Sequence, residues 1–359
     1  MTPLSGTPAP SGRATIRDVA ALAGVSLKTV SRVVNREGGV SPALTERVEE
    51  AARRLGYRPD HGARTLRRTD RRTATIGLLL EDVENPYSAA LHRAVENVAR
   101  TRGVAVLTAS VDDTPERERE LVTAFSSRRV DGLIIMPVAP DQAHLDSERR
   151  AGVPVVFVDR SPPALDCDSV VADNAGGAGV ATRHLLGAGH RRIAFLGDRL
   201  AVATTHERRA GYLAALELAG LDVRAQHVVT DLRTIEAAEA AAVALLESSA
   251  APTALFTAQN LVTIGAIRAL RRLGRHREVA VVGFDDFVLA DLLEPGVTVV
   301  AQDPRGVGRL AAELLFRRVD GDTGPYLRQV LPTRLIARGS GEIPPPLRAA
   351  DEAGAGRRR

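Results

Sequence analysis

The chain has 359 residues, 44% of them hydrophobic and 26% charged, with a net charge of +4. That length calls for two or three folding units, and the composition excludes a disordered or fibrous chain. No apolar run approaches the roughly 20 residues of a membrane helix, residues 1–13 hold no apolar signal core, and Cys167 is the sole cysteine, so the expectations are no membrane partner, no intrachain disulfide and a cytoplasmic location.

Residues 14–72 carry 13 basic and 7 acidic side chains, against 30 basic and 35 acidic over 73–346. A basic head on an acidic body points the head at a polyanion and gives the body another task. Thr15 to Asp18 has the spacing of a capping box at the start of a helix, with Val19, Ala20 and Ala23 as its apolar stripe and Gly24 as its end. Ser26 is placed to cap a second helix two residues later, so the two helices must cross steeply. In that second helix Val30, Val33 and Val34 share one face, and Lys28, Ser31, Arg32 and Asn35 share the opposite one. Ser41-Pro42 opens a third helix that stops at Gly56. The pattern fits a helix-turn-helix headpiece over 14–59, whose second helix enters the major groove and reads base edges near its N-terminus. Leu27 suits a thymine methyl, Lys28 and Arg32 suit guanine, and Thr29, Ser31 and Asn35 suit phosphates or bases. The same spacing also describes a plain three-helix bundle with a solvated polar face. Lys28 is the only lysine in the chain, every other basic residue being arginine.

The string TIRDVAALAGVSLKTVSRVVNREGGVSPALTERVEEAARRLGYRP closely resembles the headpiece of the LacI/GalR (lactose-repressor) family of bacterial transcription regulators, most specifically in TVSRVVN and LGYRP. The resemblance implies that Leu27, Lys28 and Arg32 choose the operator sequence, with Thr29 and Ser31 in support; Ser26 at the cap and Asn35 on the polar face complete the candidate DNA-binding set. It also implies that 60–72 is a hinge that becomes helical on DNA. Leu66 matches the family's minor-groove wedge, and Arg64, Arg67 and Arg68 are placed for phosphates. Gly62 makes that hinge reluctant to fold.

From Thr75 onward, apolar β-branched runs alternate with helical patterns. Strands are expected at 76–80, 104–109, 133–136, 155–158, 193–196, 254–256 and 279–284, and helices at 87–102, 116–128, 207–219, 234–248 and 260–273. Such alternation means parallel α/β sheets covered on both faces, and some 270 residues of it mean two lobes. Ligands of these sheets bind beyond the carboxyl ends of strands. Tyr87 with Asn85-Pro86, Asp159, Gln259-Asn260 and Asp285-Asp286 lie there, with Arg208 opening a helix. Each is equally well a cap or turn residue; together they suit a polar, polyhydroxylated small molecule.

The strings NPYSAALHRAVENVARTRG, VDGLIIMP, GAGHRRIAFLG, ERRAGYLAAL, IGAIRALRRLG, VAVVGFDD and TVVAQDPRGVGRLAAELL extend the resemblance to about residue 340. It implies the fold of type I periplasmic sugar-binding proteins, with effector contacts at Arg208, Asp285 and Gln302, joined by Tyr87, Asp159 and Gln259. The implied division is an N-lobe of 73–172 plus 303–327 and a C-lobe of 173–302 plus 328–340, with tails at 1–13 and 341–359 expected to be disordered. Ser88 stands where the family has a second aromatic, and Gln259-Asn260 where it has Asn-Asp. No catalytic set is visible, the glycines at 176, 177 and 179 lack the spacing of a dinucleotide loop, and the histidines lack metal-ligand spacing, so no enzyme activity, cofactor or metal is expected. The expected function is a homodimeric DNA-binding regulator, a repressor of a pseudo-palindromic operator controlled by a small, sugar-like effector. The alternative is a solute-binding protein of a transport system.

Overall fold

A computed structural model of the chain describes residues 14–35, 37–57, 72–139, 141–162 and 166–346. The chain divides into two compact units, 1–73 and 74–359. The expected hinge residues Arg64, Leu66, Arg67 and Arg68 lie outside the described residues, as do both tails, 1–13 and 347–359.

In the first unit three helices, α1 (Ile16–Ala23), α2 (Leu27–Val34) and α3 (Pro42–Arg54), close on one small core. Thr15 and Asp18 form the capping box: the Thr15 N–H donates to Asp18 Oδ2 at 2.8 Å, and the Asp18 N–H donates to Thr15 Oγ1 at 3.4 Å. The Thr15 hydroxyl, which donates to Asp18 Oδ2 at 2.7 Å, and then the Thr15 N–H hold the Asp18 carboxyl below its ordinary range. Gly24 takes φ +61°, a left-handed turn that costs glycine little, and the Ser26 side chain accepts from the Thr29 N–H at 3.2 Å to start α2. Arg47 of α3 donates to the Ala23 carbonyl at 2.6 Å, satisfying one of the orphan acceptors at the end of α1. Val19, Ala20, Ala23, Val30, Val48 and Ala51 are buried together, with Val33 and Val34 half-buried against them. The apolar stripe read from the sequence is therefore the packed face, and the polar face of α2 is left outward.

The second unit holds two six-stranded sheets. The first contains β1 (Thr75–Leu80), β2 (Ala105–Ser110), β3 (Leu133–Ile135), β4 (Val155–Val158) and β5 (Asp168–Ala172). The second contains β6 (Ile193–Leu196), β7 (Val228–Val229), β8 (Ala254–Thr257), β9 (Ala280–Phe284) and β10 (Thr298–Ala301). β11 (Arg328–Leu331) completes the first sheet and β12 (Arg334–Ile336) the second. The strand orders are β2-β1-β3-β4-β5-β11 and β7-β6-β8-β9-β10-β12. One topology is thus used twice, parallel throughout except that β12 runs antiparallel to β10. Flanking helices are α4 (Pro86–Thr101), α5 (Pro115–Ser127), α6 (Asp146–Arg150), α7 (Asn174–Gly187), α8 (Ala203–Leu218), α9 (Ile235–Leu246), α10 (Asn260–Arg272) and α11 (Pro304–Val319).

The chain crosses between lobes three times. The first two crossings enter helices in the same way, with Asp173 and Asp303 each accepting from the glycine N–H three residues on at 2.8 Å. The third lies between β11 and β12, so 328–331 belongs to the first sheet, paired with 169–172. This moves the last boundary beyond the 327/328 position implied by resemblance. The physical reason is that β11 extends the edge beside β5, whereas β12 pairs with β10. Residues 341–346 likewise depart from the expected tail: the Ile343 carbonyl lies 2.8 Å from His190 Nε2, and the Thr298 hydroxyl donates to Glu342 at 2.8 Å.

Helices α7 and α8 pack closely enough that a Cβ on Gly211 would sit 2.1 Å from the Ala175 carbonyl oxygen, and one on Gly308 of α11 would meet the Leu91 carbonyl of α4 at 2.4 Å. Only glycine permits these approaches. Strands β5, β7, β10, β11 and β12 were not expected from apolar runs. β5 shows why: it opens with Asp168 and Ser169, both buried, and Asp168 is tolerated because Arg318 of α11 donates to it twice, at 2.6 and 3.0 Å.

Candidate functional site

The first unit offers one polar face. Leu27 is 47% exposed, Lys28 is exposed, and Thr29, Ser31, Arg32 and Asn35 are half-exposed along α2. The Ser26 and Thr29 hydroxyls lie 2.9 Å apart at the helix start, and Asn35 Nδ2 donates to Ser31 Oγ at 3.3 Å. Ser26 therefore serves first as the N-cap. Leu27, Lys28 and Arg32 lie along an eight-residue helix, and neither cation has an ion pair among the described residues.

In the second unit the six residues expected from strand ends and resemblance, Tyr87, Asp159, Arg208, Gln259, Asp285 and Gln302, all line a single cleft. It encloses about 490 Å³ of empty space, part of it open to solvent, and takes side chains from both lobes. Its position follows from the doubled topology. In both sheets the order reverses beside the first strand, and ligands of open parallel sheets bind at that switch point.

The repeat extends to backbone detail. Asp159 follows β4 and Asp285 follows β9, at φ +65° and +72°. Each donates its N–H to the neighbouring strand, Asp159 to Val170 at 3.0 Å and Asp285 to Val300 at 2.9 Å. Aspartate is among the few residues that enter this left-handed region readily. The turn lets both carboxylates line the cleft.

On the C-lobe side, Arg208 is 4% exposed. It donates to Asn174 Oδ1 at 2.8 Å and to the Ala258 carbonyl at 2.6 Å, and faces Asp285 at 3.5 Å. Its guanidinium carbon lies 3.9 Å from the centre of the Phe284 ring. Gln302 Nε2 donates to Asp285 Oδ1 at 2.6 Å. Burial pushes the Asp285 carboxyl up, while Arg208 and Gln302 pull it back toward the charged form. Contrary to the expectation from the sequence, Arg208 does not open its helix. α8 begins five residues earlier at Ala203, because Thr204 and Thr205 turn inward and are buried.

On the N-lobe side, the buried Tyr87 hydroxyl has no hydrogen-bond partner among the described residues. Burial, followed by the Asp159 and Asp285 carboxylates, holds its pKa well above the ordinary range. The Gln302 Oε1 atom is likewise buried and unpartnered. A hydroxyl, an amide oxygen and two carboxylates facing a cleft are matched by a ligand rich in hydroxyl donors and acceptors.

Three cleft-lining groups and one residue that supports them escaped the sequence reading. Glu81 follows β1, Arg160 follows Asp159, Asp198 follows β6, and Asn174 orients Arg208 from the start of α7. The strand-end rule that found Asp159 and Asp285 also covers Glu81 and Asp198. Asn174 was hidden because β5 was. Ser88, standing in for an aromatic, is buried in the cleft wall. Gln259 lines the cleft, while Asn260 Nδ2 donates across it to Asn85 Oδ1 at 3.0 Å. The glycines at 176, 177 and 179 lie within α7.

Residues 15–60 match the family described as bacterial regulatory proteins, lacI family, and residues 73–336 match periplasmic binding proteins and the sugar-binding domain of that family. The chain belongs to the LacI family. The ribose operon repressor of Escherichia coli (strain K12) is 33% identical over 330 residues, covering 91% of this chain and 99% of the relative. The transcriptional regulator CelR of Thermobifida fusca is 36% identical over 338 residues, covering 92% and 98%. Among solved structures, the Lac repressor dimer bound to operator and the anti-inducer ONPF superposes on this LacI-family chain with a TM-score of 0.80 at 27% identity, covering 92% and 99%. The CelR–cellobiose complex does so at 0.67 and 34%, covering 91% and 100%. The chain is thus a LacI-family regulator with a helix-turn-helix DNA-binding domain and a sugar-binding-type domain. The relatives named are regulators rather than enzymes, and no helix among the described residues is long and apolar enough to cross a membrane.

Proposed function

We propose that the chain is a repressor that binds a pseudo-palindromic operator as a homodimer and is switched by a small sugar or sugar derivative held in the interlobe cleft. The observation that carries this reading is the presence, in one chain, of an outward polar helix of helix-turn-helix geometry and a buried, polar, two-walled cleft. A solute-binding protein of a transporter has use for the second only.

Leu27, Lys28 and Arg32 read base edges, and Ser26, Thr29, Ser31 and Asn35 fix α2 on the duplex. Arg64 and Leu66, in the hinge proposed over 60–72, supply a phosphate contact and a minor-groove wedge. One head makes few base contacts, and two linked heads multiply their affinities. In the cleft, Tyr87, Asp159, Arg208, Gln259, Asp285 and Gln302 hold the effector. A polyhydroxylated effector is supported by the donor and acceptor set and by relatives named for ribose and for a cellobiose complex.

The test is selection of duplexes from a random pool by the full chain, followed by release with a panel of sugars. A two-fold symmetric sequence should be enriched and at least one sugar should change its affinity. Enrichment of no sequence at low salt, where phosphate contacts are strongest, would favour the transport reading. Within the selected site, Arg32→Ala should cost about 1–3 kcal/mol at one base pair. A uniform loss over all sequences would make Arg32 a phosphate contact.

A further inference from the structure

The cleft carries a charged cluster of which the proposed effector contacts use only Asp159. Glu81 and Asp113 follow β1 and β2, and Asp159 and Arg160 follow β4, all in the first lobe. Asp198 and Arg199 follow β6 in the second. Arg160 is ion-paired with Glu81 in a very short contact, with Asp159 at 3.3 Å and with Asp113 at 3.7 Å. Arg199 reaches across the cleft to Asp113 at 2.6 Å, with Asp198 at 3.8 Å. Oxygens of Glu81, Asp113 and Asp198 lie within 4.8 Å of one another. Four carboxylates are thus served by two guanidiniums, and one carboxylate and one guanidinium arrive from the opposite lobe.

We propose that this cluster makes closure of the two lobes proton-linked, with Glu81 taking up a proton when Asp198 and Arg199 are brought against Glu81 and Asp113. The inference rests on the reading of the cleft as the effector site, and adds its regulation. Closing the lobes puts Asp198 beside Glu81 and Asp113, and like charges this close disfavour joint ionisation. Arg199 offsets only part of that repulsion, because it is engaged by Asp113. Parting the lobes removes Asp198 and admits water.

The Glu81 carboxyl in this structure is pushed up to about 7, first by burial and then by Asp113, Asp159 and Asp198, against the downward pull of Arg160. Asp198 is also pushed up, by burial and by Asp113. A carboxyl whose pKa is higher in the closed form favours closure as protons are added. That preference is complete below the ordinary carboxylate range and is lost as pH rises through about 7. With an open-state value near an ordinary glutamate, the closed-to-open ratio should rise about thirtyfold between pH 8 and pH 5.5.

The test needs no ligand. Glu120→Cys and Leu218→Cys, exposed positions on opposite lobes, are spin-labelled in a Cys167→Ser chain diluted into excess unlabelled chain. The interlobe distance distribution is then measured from pH 8 to pH 5.5. The wild-type cluster should move from the long to the short population with acid. Glu81→Gln should hold the short population at every pH, and Asp198→Asn should raise it at pH 8. If Glu81→Gln fails to fold, Asp198→Asn decides alone. A pH-independent distribution, a variant that tracks pH as the parent does, or a shift that requires added Ca²⁺ or Mg²⁺ would overturn the proposal. A sugar panel that binds nothing would defeat the effector reading and leave this result standing.

Discussion

The two walls of the cleft are built alike and charged differently. Both follow sheets of the same strand order, and both place an aspartate in the left-handed region just after the fourth strand, Asp159 in one and Asp285 in the other. Around Arg208 in the C-lobe wall a single carboxylate, Asp285, meets a single guanidinium, whose Nε and Nη1 also donate to Asn174 and to the Ala258 carbonyl. In the N-lobe wall the guanidinium of Arg160 is shared among three carboxylates. Topology fixes where functional side chains stand, and the residues chosen decide whether a wall is matched and rigid or unbalanced and titratable.

Substitutions that attack the matched wall should be the most costly. Arg208→Ala leaves Asp285 buried without its cation, and breaking a buried pair from one side costs about 3–5 kcal/mol. Urea unfolding should show that loss, and the variant should retain operator binding through its separate head while losing the effector response. Gly211→Ala should cost about 1–3 kcal/mol by forcing α7 and α8 apart. Its effect should appear in unfolding midpoints, with little change in the head. Arg199→Ala removes a half-exposed cross-cleft ion pair and should cost under about 1 kcal/mol, yet it should weaken closure at the N-lobe wall. A large stability loss there would erase the contrast between the two walls.

The same contrast explains what the sequence made legible. Asp159, Gln259, Asp285 and Gln302 were found because they follow apolar strands or match family strings, and the structure brings all four to one cleft. Glu81 and Asp198 occupy the same kind of position, but single acids after a strand look like turn residues until the fold brings two lobes together. Asn174 and β5 were missed for a different reason. The polar start of β5 is stabilised by Arg318, 150 residues away in sequence, and no local pattern announces such a partner. Arg208 was identified, but its helix was begun too late, since buried threonines do not read as helix starts. In the head nearly everything was local: the Thr15 capping box, Gly24 and the Ser26 cap are all interactions within a few residues. The hinge, with Arg64 and Leu66, lies outside the described residues and stands on resemblance.

In the proposed repressor the cleft and the DNA-reading head are coupled, and coupling free energy is reciprocal. Calorimetric titration of a sugar identified by the panel, with and without a saturating operator duplex, tests it most directly. Operator should change sugar affinity by the same factor that sugar changes operator affinity, and Arg208→Ala should abolish both shifts. Sugar affinity unchanged by operator, alongside an operator affinity that does respond to sugar, would contradict it.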